Sequence, residues 1–382
     1  MNLAFCLFNY FPYGGLQRDF LRIAQTCQQR GHHIHVYTMS WEGEKPQGFL
    51  LHLIEANGWQ NHTRCHSFVK KLKKELAHQA HELVIGFNKM PSLDIYYAAD
   101  VCYQARTQTQ RSRWYRWLPR YQQLSALEKA VFARGQSTEI LLISPLQQNE
   151  FVRYYHTEKE RFHLLPPGIA KDRIAPTNAA DIRKKIRNKY QLHPHHYLLL
   201  MVGSGFKTKG VDRSIQALAT LPAELKERCR LFVIGQDDPT YFQKLAARLN
   251  VSAQLQFLGG RPDVPDFLLA ADLLLHPAYH ENTGTVLLEA LAAGLPVLTV
   301  DCCGYAHYIR DSHSGVVLAS PFQQAAFNTT LQKMLLSAQR IQWQENALTF
   351  AKQANIYSLP DEAANLIDQL GKKRGFLLRS AN

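Results

Sequence analysis

The 382-residue sequence lacks several features that commonly declare a protein's class. No apolar run approaches about eighteen residues, so no spanning helix is expected. The start, MNLAFCLFNYFPYGG, has no basic stretch ahead of its strand-length apolar run, and a signal peptide is not expected. Seven cysteines occur without a C-x-x-C pair, and Cys302 and Cys303 are adjacent. That pattern argues against a disulfide framework and a zinc site, and for a reduced, cytoplasmic chain. HTRCH at 62–66 is the nearest approach to a metal cluster, and no second cluster answers it, so no metal is expected. A Walker A loop is missing. So is G-x-G-x-x-G with an acid about twenty residues on, which disfavours a nicotinamide oxidoreductase. No helix-turn-helix or RNP motif supports a nucleic-acid-binding protein. D-x-D is absent too. An enzyme using a nucleotide sugar would then neutralise the diphosphate with lysine and arginine instead of a divalent cation.

What is present begins with charge: net +13 and a pI near 9.4. A chain this basic usually meets polyanions, meaning nucleic acid, anionic lipid or phosphorylated substrates. Short apolar runs alternate with helical stretches: LAFCLF (3–8), HIHVYT (33–38), LVIGF (83–87) and EILLIS (139–144). After a basic, proline-bearing stretch the pattern restarts with YLLLMVG (197–203), RLFVIG (230–235), LQFLG (255–259), DLLLHP (272–277) and PVLTV (296–300). Buried strands separated by helices predict an α/β protein of two Rossmann-like domains, each with a parallel sheet, facing a central cleft. The expected boundaries are 1–167 for the first domain and 168–354 for the second. Residues 355–382 are expected to pack back on the first, through a helix near Pro360–Leu370.

In such sheets ligands bind beyond the carboxyl ends of the strands, and three loops there draw attention. Gly14-Gly15 follows the first strand and leaves room for a close phosphate. GSGFKTKG (203–210) brings Lys207 and Lys209 to a helix expected to start near Val211, where amides and ammonium groups together suit an anion. The third, HENTGTVLLEALAAG, raises the sharpest question: Glu281 and Glu289 are the only Asp, Glu, Lys or Arg residues between Asp272 and Asp301. A helix over 284–293, capped by Asn282 or Thr283 and ended by Gly294, would be apolar nearly all round and buried. A buried carboxylate needs a cation or a hydrogen-bonding ligand. With Arg173 and Lys209 on the diphosphate, Glu281 could bind sugar hydroxyls and Glu289 the ribose. The amides of Asn282, Thr283, Gly284, Thr285, Val286 and Leu287 could hold the pyrophosphate or sugar edge.

These residues resemble a known family. Glutamate, seven residues and a second glutamate within ENTGTVLLEALAAGLPV is similar to the signature of retaining GT-B enzymes of glycosyltransferase family 4. The likeness is closest to the lipopolysaccharide core glucosyltransferases. It is carried by AFCLFNYFPYGGLQRDF, RGHHIHVYTMSWEG, VIGFNKMPSLDIYYAADVCY, KGVDRSI, HPAYHENTGTVLLEALAAGLPVLT and CGYAHYI, from residue 3 to about 310, and more weakly to about 370. The resemblance implies a GT-B fold, with 1–167 the acceptor-binding and 168–354 the nucleotide-sugar-binding domain, and transfer of glucose from UDP-glucose to an inner-core heptose of lipopolysaccharide, in α-1,3 linkage. Retention of configuration, no metal and no other cofactor are implied with it. Gly15 and Asp19 would contact the donor, and Asp100 the acceptor or sugar. Glu281, Asp19 and Asp100 are the catalytic candidates. Two departures stand out. Thr208 replaces the family's usual arginine, with Lys207 one place earlier. Asn282-Thr283 replaces smaller residues and could select another hexose. A related hexosyltransferase with a different donor or glycolipid acceptor is the alternative.

The stretch 103–134 holds seven basic residues and one acid, Glu128. As one helix it would align Trp114, Trp117, Leu118, Tyr121 and Leu124 on one face, with Arg113, Arg116 and Arg120 beside it, although Pro119 argues for a start or kink. Cations flanking tryptophan and tyrosine suit an anionic bilayer surface. With KKLKK (70–74) and KKRGFLLR (372–379) extending it, this predicts a cytoplasmic enzyme held peripherally at the inner membrane, with no nucleic-acid partner.

Overall fold

The structure, a computed structural model, describes every residue except Tyr13, Ala381 and Asn382, and gives side chains except for Gln110 and residues 374–380. Beyond Lys373, KKRGFLLR therefore lies outside the described side chains. The chain forms two compact units. One is Met1–Gly168 together with the chain from Ser358 onward, and the other is Ile169–Tyr357.

The first unit is built on seven parallel strands: β1 (Asn2–Cys6), β2 (His33–Thr38), β3 (Phe49–Leu53), β4 (Leu83–Gly86), β5 (Ile95–Ala98), β6 (Glu139–Leu142) and β7 (Phe162–Leu164). Their order is β3-β2-β1-β4-β5-β6-β7, a Rossmann-type arrangement that reverses between β1 and β4. Four helices matter here: α1 (Gly15–Gln29), α2 (Asn61–His78), α3 (Tyr103–Gln110) and α4 (Pro119–Phe132). The second unit repeats the plan with β8 (Tyr197–Val202), β9 (Cys229–Ile234), β10 (Leu255–Phe257), β11 (Leu273–His276), β12 (Val297–Val300) and β13 (Gly315–Leu318). All are parallel, in the order β10-β9-β8-β11-β12-β13, and here the reversal falls between β8 and β11. The turn α5 (Phe206–Lys209) and helix α6 (Val211–Ala219) follow β8, and α7 (Thr285–Ala292) follows β11. The last helix, α8 (Leu359–Ser380), returns to the first unit. It buries Leu359, Ala363, Ala364 and Ile367 and pairs Asp368 with Arg30 (3.0 Å) and His32 (2.6 Å).

The central strands are apolar because helices cover both faces. Residues 198–200 and 274–275 are fully buried. Strands β3, β5, β7 and β13 are not among the runs picked out from the sequence. β3, β7 and β13 lie at or beside an edge, and β5 has only four residues. The seven cysteines are unbridged, and within HTRCH both His62 and Cys65 are buried in α2.

Candidate functional site

The topological reversal of the second unit brings the β8 and β11 loops together, and they are stitched to each other. The Tyr279 amide donates to the Thr208 carbonyl (2.8 Å), and Arg213 donates to the carbonyls of Pro277 (3.0 Å) and Ala278 (2.9 Å). Gly210 has φ 77°, and any Cβ there would collide with the Pro277 carbonyl, so glycine is required for the approach.

At this junction Lys209 forms an ion pair with Glu281, and His276 Nε2 lies 3.3 Å from the same oxygen, Oε2. The Glu281 side chain keeps 12% exposure. Its burial opposes ionisation, but the hydrogen bond from His276 and the charge of Lys209 outweigh it and hold the carboxyl down to about 2. One turn into α7, the buried Glu289 lies 3.8 Å from Arg173, whose Nε also approaches Asp172 (3.5 Å). Arg173 Nε and Nη1 are buried and make no hydrogen bond among the described residues. Glu281 and Glu289 are therefore each paired with a cation, and the cations are the two expected at a diphosphate.

Several expectations change. Lys207 does not join Lys209. Its ammonium bonds Asp212 (2.7 Å), which also accepts from Tyr279 Oη (2.8 Å), and it lies 5.0 Å from the Tyr279 ring centroid. Helix α7 starts later than predicted, at Thr285, and its cap is Gly284 at φ 82° instead of Asn282 or Thr283. The Thr283 carbonyl accepts from the Tyr305 amide, which turns the segment into the glycine. No side chain caps α7, so its first amides, at Thr285 and Val286, suit an anion, whereas the Leu287 N–H is committed to the Gly284 carbonyl (2.8 Å). Gly294 ends the helix with φ 70°, as expected of it.

In the first unit Gly15 opens α1, and a Cβ there would meet no other atom. Asp19, one turn on, accepts from Tyr97 Oη (2.8 Å). Asp100 is exposed beyond the carboxyl end of β5. The predicted aromatic helix is broken. Arg113–Trp117 is a 3-10 turn, Leu118 is extended, and α4 begins at Pro119, which cannot continue a helix from upstream. Trp114 (80%), Trp117 (77%) and Leu118 (49%) are exposed, as are Arg113, Arg116 and Arg120. Tyr121 leaves this surface: it is buried, with its hydroxyl on Gln104 (2.5 Å). Lys70, Lys73 and Lys74 of α2 are exposed, while Lys71 bonds the Glu55 carbonyl (2.8 Å).

A buried carboxylate that the sequence pattern does not single out holds this segment. Glu128 is fully buried and accepts from Lys89 (2.5 Å), the Tyr103 and Gln104 amides (2.7 and 2.9 Å) and Tyr155 Oη (2.7 Å). It caps α3 from a distance. Its only signal was being the lone acid in a basic stretch.

The family described as Glycosyltransferase Family 4 matches residues 13–173, and Glycosyl transferases group 1 matches 182–350. Lipopolysaccharide glucosyltransferase WaaG of Escherichia coli K12 is 48% identical over 368 residues, covering 96% of this chain and 98% of that protein. The chain belongs to the WaaG family of glycosyltransferases. A crystal structure of WaaG, a glycosyltransferase involved in lipopolysaccharide biosynthesis, superposes with a TM-score of 0.92 at 47% identity, covering 96% of this chain and 99% of that one. Anabaena HepE in complex with UDP-glucose shares the fold at a TM-score of 0.74 and 17% identity, covering 97% of this chain and all of that one. The fold is thus GT-B, and the protein is a glycosyltransferase of lipopolysaccharide biosynthesis.

Proposed function

We propose that the protein moves glucose from UDP-glucose to an inner-core heptose of lipopolysaccharide, in α-1,3 linkage, with retention and without a metal or other cofactor. One observation carries the reading. Two buried ion pairs, Lys209–Glu281 and Arg173–Glu289, flank the uncapped start of α7 at the reversal of the second sheet. Each pair supplies a cation for the diphosphate and an acceptor for hydroxyls. The WaaG relative is named for glucose transfer, and the HepE neighbour was crystallised with UDP-glucose; both support the choice of donor.

In this mechanism Arg173 turns its buried, unsatisfied nitrogens to the diphosphate, joined by Lys209 and the first amides of α7. Glu281 accepts from glucose hydroxyls and Glu289 from the ribose. The glucose C1–O bond to phosphate breaks as the heptose oxygen bonds C1 from the same face. The leaving phosphate oxygen takes the heptose proton, and the two cations neutralise the UDP released. In the first unit Gly15, Asp19 and Asp100 would serve the reacting sugars. The exposed Trp114–Trp117 turn with Arg113, Arg116 and Arg120 would hold the enzyme peripherally on the anionic inner leaflet, from the cytoplasm. Asn282 and Thr283 beside Glu281 favour one second reading, a hexosyltransferase with another nucleotide sugar.

The test is transfer to purified lipopolysaccharide truncated at heptose, with UDP-glucose, UDP-galactose and UDP-N-acetylglucosamine in EDTA. Glucose transfer that is lost in Glu281→Ala is the expected result. Preference for another sugar would move the specificity to Asn282 and Thr283, and transfer only when a divalent cation is restored would overturn the metal-free mechanism.

A further inference from the structure

His276 is the last residue of β11 and is 1% exposed, yet its polar ring edge is spent on one partner, the Glu281 carboxylate. Buried imidazoles at strand ends can be simple packing residues. This one has a carboxylate as its hydrogen-bond partner. Its Nε2 and the Lys209 ammonium converge on Oε2, while Oε1 accepts from no group among the described residues. The contact requires the proton on Nε2. The arrangement divides the carboxylate into a tethered oxygen and an available one.

The tether matters because Lys209 has a second demand on it. Once a diphosphate arrives, the ammonium is shared between the phosphate and Glu281, and its hold on Oε2 weakens. His276 is buried and fixed at the end of β11, and its Nε2 faces Oε2. We infer that His276 is a positioning residue for the donor sugar, holding Glu281 Oε2 so that Oε1 stays aimed at the sugar hydroxyls after Lys209 turns to the diphosphate. This rests on Glu281 being the sugar acceptor in the reading above.

The backbone around the pair is anchored independently of this hydrogen bond. His276 sits in register with Thr299 of β12, whose hydroxyl donates to the His276 carbonyl (3.0 Å). Glu281 bridges to Cys303, and Tyr279 is tied to Thr208 (2.8 Å). A side-chain change at 276 therefore removes the tether and leaves the loop's main-chain supports in place.

The experiment measures kcat and KM for UDP-glucose, and the inhibition constant of UDP, in wild type, His276→Leu, His276→Gln and Glu281→Gln. UDP lacks the sugar, so it reports on the diphosphate and uridine contacts alone. His276→Leu is expected to lower kcat/KM about 10- to 100-fold, as for a lost hydrogen bond to a buried charge, with UDP inhibition unchanged. His276→Gln, whose amide N–H can replace Nε2–H, is expected to return to within about threefold of wild type. If the leucine variant does not fold, His276→Phe takes its place. Equal weakening of UDP and UDP-glucose would mean that the loop has collapsed, and would overturn the inference. So would a His276→Leu enzyme with wild-type kinetics while Glu281→Gln is impaired. Wild-type kinetics in Glu281→Gln would instead bring down the functional reading beneath it.

Discussion

One cluster of positive charge in each unit is set in an opposite way. In the second, Lys209 and Arg173 are 22% and 18% exposed and each faces a carboxylate in a largely buried setting. In the first, Arg113, Arg116 and Arg120 stand in solvent beside two tryptophans exposed by more than three-quarters. The difference is one of dielectric. Charges paired in the interior act singly and strongly, and removing one strands its partner. Exposed charges act additively, weakly and under salt screening. A mutation in one region should therefore have few, large effects, and in the other several small ones.

The largest break should come from Glu281→Gln, which keeps the shape but removes the charge facing Lys209. Transfer should fall by at least about 100-fold, with membrane binding unchanged in a vesicle flotation assay. Next, Arg173→Ala or Lys209→Ala should weaken UDP binding by about 10- to 100-fold, measured as an inhibition constant. Trp114→Ala with Trp117→Ala should sharpen the contrast by doing the reverse: weaker binding to anionic vesicles, with unchanged hydrolysis of the donor. Unaltered vesicle binding would remove the membrane reading. Arg113→Gln, Arg116→Gln and Arg120→Gln should each cost vesicle binding about 1 kcal/mol, less as salt rises.

The smallest effect concerns acid. His35, His52 and His81 cluster on the first sheet, with His35 Nδ1 3.1 Å from His52 Nε2 and His81 Nε2 2.9 Å from Tyr37 Oη. Burial, with the other histidines adding to it, pushes His81 down to about 4, and burial lowers His35 and His52 too, although Glu75 and Glu82 oppose it. An unfolded histidine titrates near pH 6.5. The unfolded chain thus binds more protons between that value and about 4, so stability is full above pH 6.5 and falls as acid carries the pH through this window. His81→Gln should flatten the decline in melting temperature between pH 7 and about 4.5.

The central strands were legible because burial on both faces leaves an uninterrupted apolar run, as in YLLLMV. Edge strands such as GVVL, half-covered, leave a shorter run that does not stand out from the helical stretches around it. The Glu281–Glu289 pair was legible because so few charges surround it. Its partners were not: Lys209 lies 72 residues from Glu281, and only the sheet order brings them together. Lys207 and Lys209 look equivalent in sequence, yet Asp212, in the first turn of α6, claims the first. Tyr121 was misread because the face was drawn on one helix, while the chain restarts at Pro119 and turns the ring inward.

The most direct test of the central claim is calorimetric titration of UDP-glucose and of UDP into wild type, Glu281→Ala and Glu289→Ala. Glu281→Ala should weaken UDP-glucose while UDP binds at least as tightly, and Glu289→Ala should weaken both. A Glu281→Ala protein that binds UDP-glucose as wild type does, or a Glu289→Ala protein unchanged toward both ligands, would contradict it.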